Sequence, residues 1–437
     1  MSSQSDQETL PVPAGYPFFH FDQGKLHVES LPLSQLAQQY GTPLYVYSRA
    51  AIGKAWQSYV NAIGSNRVLV CYGMKANSNL SILQEFARLG AGFDIVSGGE
   101  LARVLKAGGN PGKVVFSGVG KQAWEMEQAL LAGVKCFNVE SLPELKRLSE
   151  VATRMGKQAP VSLRVNPDVD AQTHPYISTG LKENKFGIAI ETAPQAYALA
   201  QSLPGIRIVG VDCHIGSQIT EVAPYLDALD KLIELIKGLA STGIELAHLD
   251  LGGGLGIRYD DETPLDPGVL LGEIFKRLSE HHLGHLELVL EPGRSLIGNA
   301  GVLLTQVQYL KPTADRSFAI VDAGMNDLMR PALYQAWHGV LPLTWPATAP
   351  KQEWDVVGPV CESADWLAKG RKLGIEQADL LAIESAGAYG FVMAGQYNSR
   401  TRPAEILVDG DQHYVIRDRE TFDDLIRGEH LVIKSHG

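Results

Sequence analysis

The sequence predicts an α/β fold, a (β/α)8 barrel followed by an all-β domain. Three observations carry this. Between residues 67 and 291, short runs rich in Val, Ile and Leu recur eight times, and longer segments with helical periodicity separate them. After residue 297 strand-like runs follow one another without regular helices. The chain has 437 residues, too many for one ordinary domain and enough for two. An open doubly wound sheet is the alternative reading of the same alternation.

The eight strand candidates are 67–72 (RVLVCY), 92–97 (GFDIVS), 113–118 (KVVFSG), 135–140 (KCFNVE), 160–166 (PVSLRVN), 206–213 (IRIVGVDC), 246–251 (LAHLDL) and 286–291 (LELVLE). A helical pattern follows each of the first seven. Leu80, Leu83 and Ala87 mark one helix, stopped by Gly90; Leu101, Val104 and Leu105 mark the next, stopped by Gly108 and Gly109. Residues 46–297 are therefore assigned to the barrel. In 298–437 the candidates are 302–310, 317–322, 353–357, 379–384, 404–408 and 412–416, with turn signals at Lys311-Pro312 and Asp409-Gly410. Strand-like pieces within 17–47 (PFFHF, KLHVE, PLYVYS) place part of 11–45 with the β domain. Residues 1–10 are expected to be a mobile tail. The connection 167–187 is long for a compact domain, a length that goes with function or mobility.

Composition narrows the function classes. Hydrophobic residues make up 45% and charged residues 20%, the profile of a soluble globular protein. A net charge of -11 argues against nucleic acid as a partner but leaves room for a small anion held by local arginines. Cys71, Cys136, Cys213 and Cys361 are scattered, with neither metal-ligand spacing nor a disulfide framework, which fits the reduced cytoplasm. The polar start has no signal-peptide core, and no run approaches the roughly eighteen apolar residues of a membrane span.

Barrels place their chemistry at the C-terminal ends of the strands. Lys75 follows the first strand, His214 and Ser217 the sixth, Gly252, Gly253 and Gly254 the seventh, and Glu291 and Arg294 the eighth. Taken singly, each has an ordinary reading. Lys75 could be a solvated surface charge, His214 a packed histidine, the glycine run a tight turn and Glu291 an ion-pair partner of Arg294. Together they suggest more. A lysine partly desolvated by Val70, Met74 and Ala76 could form an imine. Glycine N–H groups after strand seven, beside Gly293-Arg294 after strand eight, could hold a phosphate. A carboxylate beside a pyridine nitrogen would keep that nitrogen protonated.

The segments YGMKANSN (72–79), HPYISTGLKENKFG (174–187), DCHIGSQ (212–218), DLGGGLG (250–256), EPGR (291–294), DAGMNDLMRPALY (322–334), GPVCESAD (358–365) and GAYGFVMAGQYNSRTRPAE (387–405) resemble the alanine-racemase-like pyridoxal-phosphate (PLP) decarboxylases. The likeness is strongest to the diaminopimelate decarboxylases and runs from about Phe18 to the end. Tyr72-Gly73 falls where that family varies. The resemblance implies an alanine-racemase-like two-domain architecture, PLP as cofactor, and decarboxylation of meso-2,6-diaminopimelate to L-lysine and CO2, the last step of lysine biosynthesis. By the same resemblance Lys75 carries the cofactor and His214 stacks on its ring. Ser217, Gly252, Gly253, Gly254 and Tyr389 hold its phosphate, and Glu291 pairs with its ring nitrogen. Arg294, Arg330 and Tyr334 hold the substrate carboxylate that is retained, Glu362 and Tyr389 contact the substrate further, and Cys361 donates a proton. Cys361 and Glu362 are implied to serve the neighbouring subunit's site in a homodimer. No metal is implied.

Without the resemblance, Cys361 would read as a buried, inert thiol and Arg330 as an ion-pair or surface arginine. Asp94, Ser117, Asn138 and Arg164 lie at or near strand ends and are left unassigned. A decarboxylase for ornithine or arginine would have no need of Arg330. A racemase would share the barrel and the lysine but fit the later segments poorly. A non-catalytic PLP-binding protein would not need both Lys75 and Cys361.

Overall fold

The computed structural model describes residues 10–170, 185–347 and 349–432. Nearly all of the expected tail and residues 171–184 of the long connection lie outside them. The chain forms two compact units, Ala51–Gly298 and, discontinuous in sequence, Met1–Ala50 with Asn299–Gly437.

The first unit is a closed parallel barrel. Its strands are β1 (Val68–Gly73), β2 (Gly92–Ile95), β3 (Val114–Phe116), β4 (Cys136–Val139), β5 (Ala159–Asn166), β6 (Ile206–Asp212), β7 (His248–Asp250) and β8 (Glu287–Leu290). Each pairs with the next, and β8 returns to β1 through Leu288 and Val68, so no edge is left and the open-sheet alternative is excluded. Six of the eight strands are shorter than their sequence pattern, and for two of them the cause is local. β2 stops at Ile95 because Ser97 becomes a helix cap, its side chain accepting the Glu100 N–H. β7 stops at Asp250 because Gly252 takes a φ of 66°, which turns the chain out of the sheet. A two-residue parallel strand, Ile188–Ala189, joins β5 and has no counterpart in the sequence reading.

In the second unit the strand Leu44–Ser48 lies between Gly301–Lys311, antiparallel, and Ala404–Asp409, parallel. Leu44, Val46, Val302, Leu304, Ile406 and Val408 pack together there. Several elements escaped the sequence reading, three of them in ways that show why. Leu33–Tyr40 is a helix that buries Leu33, Leu36 and Ala37 along one face. Trp366–Leu373 is an edge strand whose Lys369, Arg371 and Lys372 hide its alternation. Val340–Pro342 is a three-residue strand paired with Leu380–Ile383. Among the described residues no helix is long and apolar enough to cross a membrane.

A buried network braces the barrel rim. Lys121 Nζ donates to Gly118 O (2.8 Å), Asn138 O (2.7 Å) and Glu144 Oε1 (2.7 Å). Glu144 Oε2 accepts the Glu140 N–H, and Glu140 accepts from Gly118 N–H and Arg164. The ends of β3, β4 and β5 are thereby held by one lysine and two acids. Removing the lysine charge strands a buried carboxylate, so Lys121→Met is expected to destabilise the barrel by about 3–5 kcal/mol, read as a lower thermal midpoint.

Candidate active site at the barrel mouth

The C-terminal ends of the strands bring the barrel candidates to one face. Lys75 sits in a 3-10 turn, Met74–Ala76, directly after β1. Met74 and Ala76 turn inward and are buried, whereas the Lys75 side chain is 41% exposed. The expected apolar enclosure of its amine is therefore not found. Its Nζ instead donates to Asp94 Oδ2 at 3.0 Å, from a carboxylate that is fully buried at the end of β2.

The glycine run is dictated by space. A Cβ on Gly252 would lie 2.7 Å from Cys213 O, one on Gly253 2.2 Å from Glu291 O, and one on Gly254 2.6 Å from Gly216 O. Gly254 also takes a φ of 107°. Backbone therefore packs on backbone between the loops after β6, β7 and β8. The Glu291 N–H donates to Gly252 O (2.7 Å), the Gly252 N–H to Asp250 Oδ1 (2.8 Å), and the Gly253 N–H to His214 Nδ1 (3.2 Å). Because that imidazole nitrogen accepts, the proton of the neutral ring belongs on Nε2. Burial, then the charges of Lys75 and Arg164, hold the His214 pKa well below the usual range, so the ring is neutral at pH 7.

Ser217 and Arg294 meet. Ser217 Oγ accepts from Arg294 Nη2 at 2.9 Å and from Nε at 3.3 Å, and Arg294 Nη1 donates to the hydroxyl of Tyr259. Arg294 is buried, so its direction is fixed by these partners.

The mouth also gathers acid. Oxygens of Asp212, Asp250 and Glu291 lie within 4.8 Å of one another, all three residues buried. Burial, then Asp250, Asp94 and Asp212, push the Glu291 carboxyl well above the usual carboxylate range, against the pull of Lys75. Burial raises Asp250 to about 7, opposed by the Gly252 N–H. Glu291 Oε1 accepts from Asn138 Nδ2 (3.3 Å), which also donates to Ser117 Oγ (3.1 Å). The four unassigned residues thus find places: Asp94 on Lys75, Asn138 and Ser117 behind Glu291, and Arg164 on Glu140. Asp212 and Asp250 were missed as functional groups. The available signal was their position, each as the first residue of a motif, DCHIGSQ and DLGGGLG.

These residues fit a phosphate-bearing pyridine. Beside the glycine turn, whose Gly254 packs on Gly216 O, the neighbouring Ser217 hydroxyl meets the Arg294 guanidinium, a pair of groups that suits a phosphate. The buried Asp94 Oδ1 and Asp212 Oδ1 lack hydrogen-bond partners among the described residues, in a region whose field favours a cation.

The remaining candidates belong to the other unit. Arg330 opens the helix Arg330–Tyr334, is buried, and lies 2.8 Å through Nη1 from His338 Nε2. Tyr334 ends that helix, half-buried. Tyr389 takes a left-handed φ of 55°, a conformation that a bulky side chain rarely adopts. Cys361 is exposed, which overturns the reading of a buried thiol, and its N–H donates to Asn398 Oδ1 at 3.0 Å. Glu362 is exposed and accepts from the Tyr397 hydroxyl at 2.5 Å.

Comparison with known proteins gives the family. The family model "Pyridoxal-dependent decarboxylase, pyridoxal binding domain" matches residues 49–298. The chain is 58% identical to the diaminopimelate decarboxylase of Pseudomonas aeruginosa over 95% of this chain and 99% of that one. The crystal structure of diaminopimelate decarboxylase from Helicobacter pylori, complexed with L-lysine, is 44% identical, with a TM-score of 0.86 over 90% of this chain and 98% of that one. The corresponding structure from M. jannaschii, in co-complex with L-lysine, is 37% identical, with a TM-score of 0.91 over 96% and 99%.

The buried acids also fix a pH dependence. A carboxyl with a folded pKa near 7 and an ordinary unfolded value binds more protons folded than unfolded between about pH 4 and 7, so its contribution to stability falls as pH rises through that window. Chemical denaturation of the cofactor-free protein is expected to show this fall, and Asp250→Asn to flatten it.

Proposed function

The chain belongs to the diaminopimelate decarboxylases, within the pyridoxal-dependent decarboxylases, and from that premise we propose how its residues divide the work. The reaction is PLP-dependent removal of one carboxylate of meso-2,6-diaminopimelate as CO2, leaving L-lysine. The observation that carries the residue assignment is the convergence at the barrel mouth of an accessible amine, a side-chain-free glycine turn and a buried carboxylate of high proton affinity.

Lys75, whose amine is accessible, would hold the cofactor covalently. Bound PLP supplies an electron sink for the pair left when CO2 departs. Gly252, Gly253, Gly254, Ser217 and Tyr389 hold the phosphate. His214, neutral and pinned by the Gly253 N–H, would contact the cofactor without adding charge. Burial is the first cause of the raised proton affinity of Glu291; the part due to Asp250, Asp94 and Asp212 acts also on a base beside it, so Glu291 would keep a proton at the ring nitrogen.

Arg294, Arg330 and Tyr334 grip the carboxylate that is retained, the arginines because a planar fork matches a carboxylate. Glu362 takes the distal amine, with Tyr389 beside it. This assignment suits a ligand that carries an amino and a carboxylate group on one carbon, as does L-lysine, with which two relatives are complexed. Cys361 delivers its thiol proton to the carbon that has lost CO2. We place Cys361 and Glu362 in the partner subunit's site of a homodimer, which their exposure supports. A cytoplasmic location goes with four cysteines that form no disulfide.

The holoenzyme is expected to release CO2 from meso-diaminopimelate with L-lysine in equal amount, and not from ornithine or arginine. Lys75→Ala is expected to lose at least about a thousandfold in turnover, about 4 kcal/mol in the barrier. Mixing inactive Lys75→Ala with inactive Cys361→Ala is expected to restore activity through hybrid dimers. No recovery would contradict the shared site, and turnover by Lys75→Ala would contradict its role.

A further inference from the structure

His338 sits in the core of the second unit, fully buried, at the head of the short ladder between Val340–Pro342 and Leu380–Ile383. Three contacts hold it. Arg371 Nη2 donates to its carbonyl oxygen at 2.8 Å. Its Nδ1 lies 2.8 Å from Glu384 O, and its Nε2 lies 2.8 Å from Arg330 Nη1.

The chemistry of the two ring contacts fixes the state of the imidazole. A carbonyl oxygen only accepts, so Nδ1 must carry hydrogen and donate to Glu384 O. A guanidinium only donates, so Nε2 must be bare and accept from Arg330. Only the neutral Nδ1–H tautomer satisfies both. A lysine or arginine at this position would have no acceptor to offer, and an aliphatic residue would leave both a buried carbonyl and a guanidinium N–H without this partner. The ladder supplies the register, because Val340 pairs with Ile383 and the Glu384 N–H donates to Gly339 O at 2.9 Å. Glu384 O is thereby fixed opposite His338. The Gly339 position is tight, a Cβ there meeting Glu384 Oε2 at 2.2 Å.

We propose that His338 is a positioning residue for substrate selection: its Nε2 lone pair, directed by the Nδ1–H to Glu384 O, orients the Arg330 guanidinium toward the substrate carboxylate. This rests on the reading of Arg330 as a carboxylate-binding group. Arginine side chains are flexible, and a fork aimed in advance binds a planar carboxylate with less lost freedom than one that must find its orientation on binding. His338 therefore contributes to the preference for ligands that keep the carboxylate, without touching the substrate.

The test compares two competitive inhibitors of the holoenzyme. L-Lysine carries the retained carboxylate, and cadaverine is the same diamine without it. His338→Asn keeps a donor for Glu384 O but is too short to offer an acceptor to Arg330; in His338→Gln the longer side chain carries its amide oxygen out to the guanidinium. His338→Asn is expected to weaken L-lysine inhibition about tenfold while cadaverine changes little, and His338→Gln to retain most of the preference. Arg330→Gln is expected to lose most of the preference, with Arg294 and Tyr334 keeping the remainder. Thermal midpoints monitor the fold of each variant. If His338→Asn keeps the wild-type preference while Arg330→Gln loses it, the positioning role is wrong and the Arg330 assignment stands. If Arg330→Gln keeps the preference, both fall. Parallel weakening of both inhibitors with a lowered midpoint would make His338 a core residue only and overturn the proposal.

Discussion

Asp94, Asp212, Asp250 and Glu291 place four carboxyl groups in one barrel mouth, all of them buried. Ionising them all in that setting is unfavourable, because each feels both the loss of water and the charge of the others. The fold answers in two ways. Lys75 is drawn onto Asp94, and Arg164 onto the neighbouring Glu140. The proton affinities of Asp212, Asp250 and Glu291 rise, so the cluster retains protons that ordinary carboxyls would have lost. A barrel mouth built this way favours a cation at its centre. A protonated pyridine nitrogen held by Glu291, as proposed, would supply one, and the strength of PLP as an electron sink depends on that proton.

Around this charge cluster, placement is achieved by backbone more than by side chains. The carbonyl of Glu291 passes so close to Gly253 that no other residue fits, and the Glu291 N–H closes back on Gly252 O. The same turn orients His214 through the Gly253 N–H. Lys121 holds the rim on the far side, at the ends of β3 and β4. The second unit follows a parallel plan in which a buried arginine is held by a buried histidine whose tautomer is fixed by a backbone carbonyl.

How much of this was legible in the sequence depended on whether a feature was local. The barrel was readable because each strand is a short apolar run and each is followed by a helical period. The positions of Lys75, His214, the glycine run and Glu291 at the barrel mouth were readable because each closely follows a strand, whereas Arg330, Cys361 and Tyr389 were expected from the resemblance alone. Asp212 and Asp250 were not, since an acid closing a strand looks like any strand end until the barrel closes and brings the two together. His338 depended on the register of two three- and four-residue strands, one of which the sequence did not reveal at all. Trp366–Leu373 escaped because an edge strand that presents lysines to solvent lacks the alternation that marks a half-buried one. The Lys75 amine was placed among apolar neighbours by sequence adjacency, but the tight turn directs its neighbours inward and the lysine toward Asp94.

The central claim is that the buried acids keep a proton on the cofactor's ring nitrogen. The most direct measurement is the 15N chemical shift of holoenzyme reconstituted with PLP labelled at that nitrogen, taken across the stability range of the protein. The account expects the shift of a protonated nitrogen in the wild type at pH 7 and above, and that of an unprotonated nitrogen in Glu291→Gln. An unprotonated nitrogen in the wild type, or an unchanged shift on removing Glu291, would contradict it.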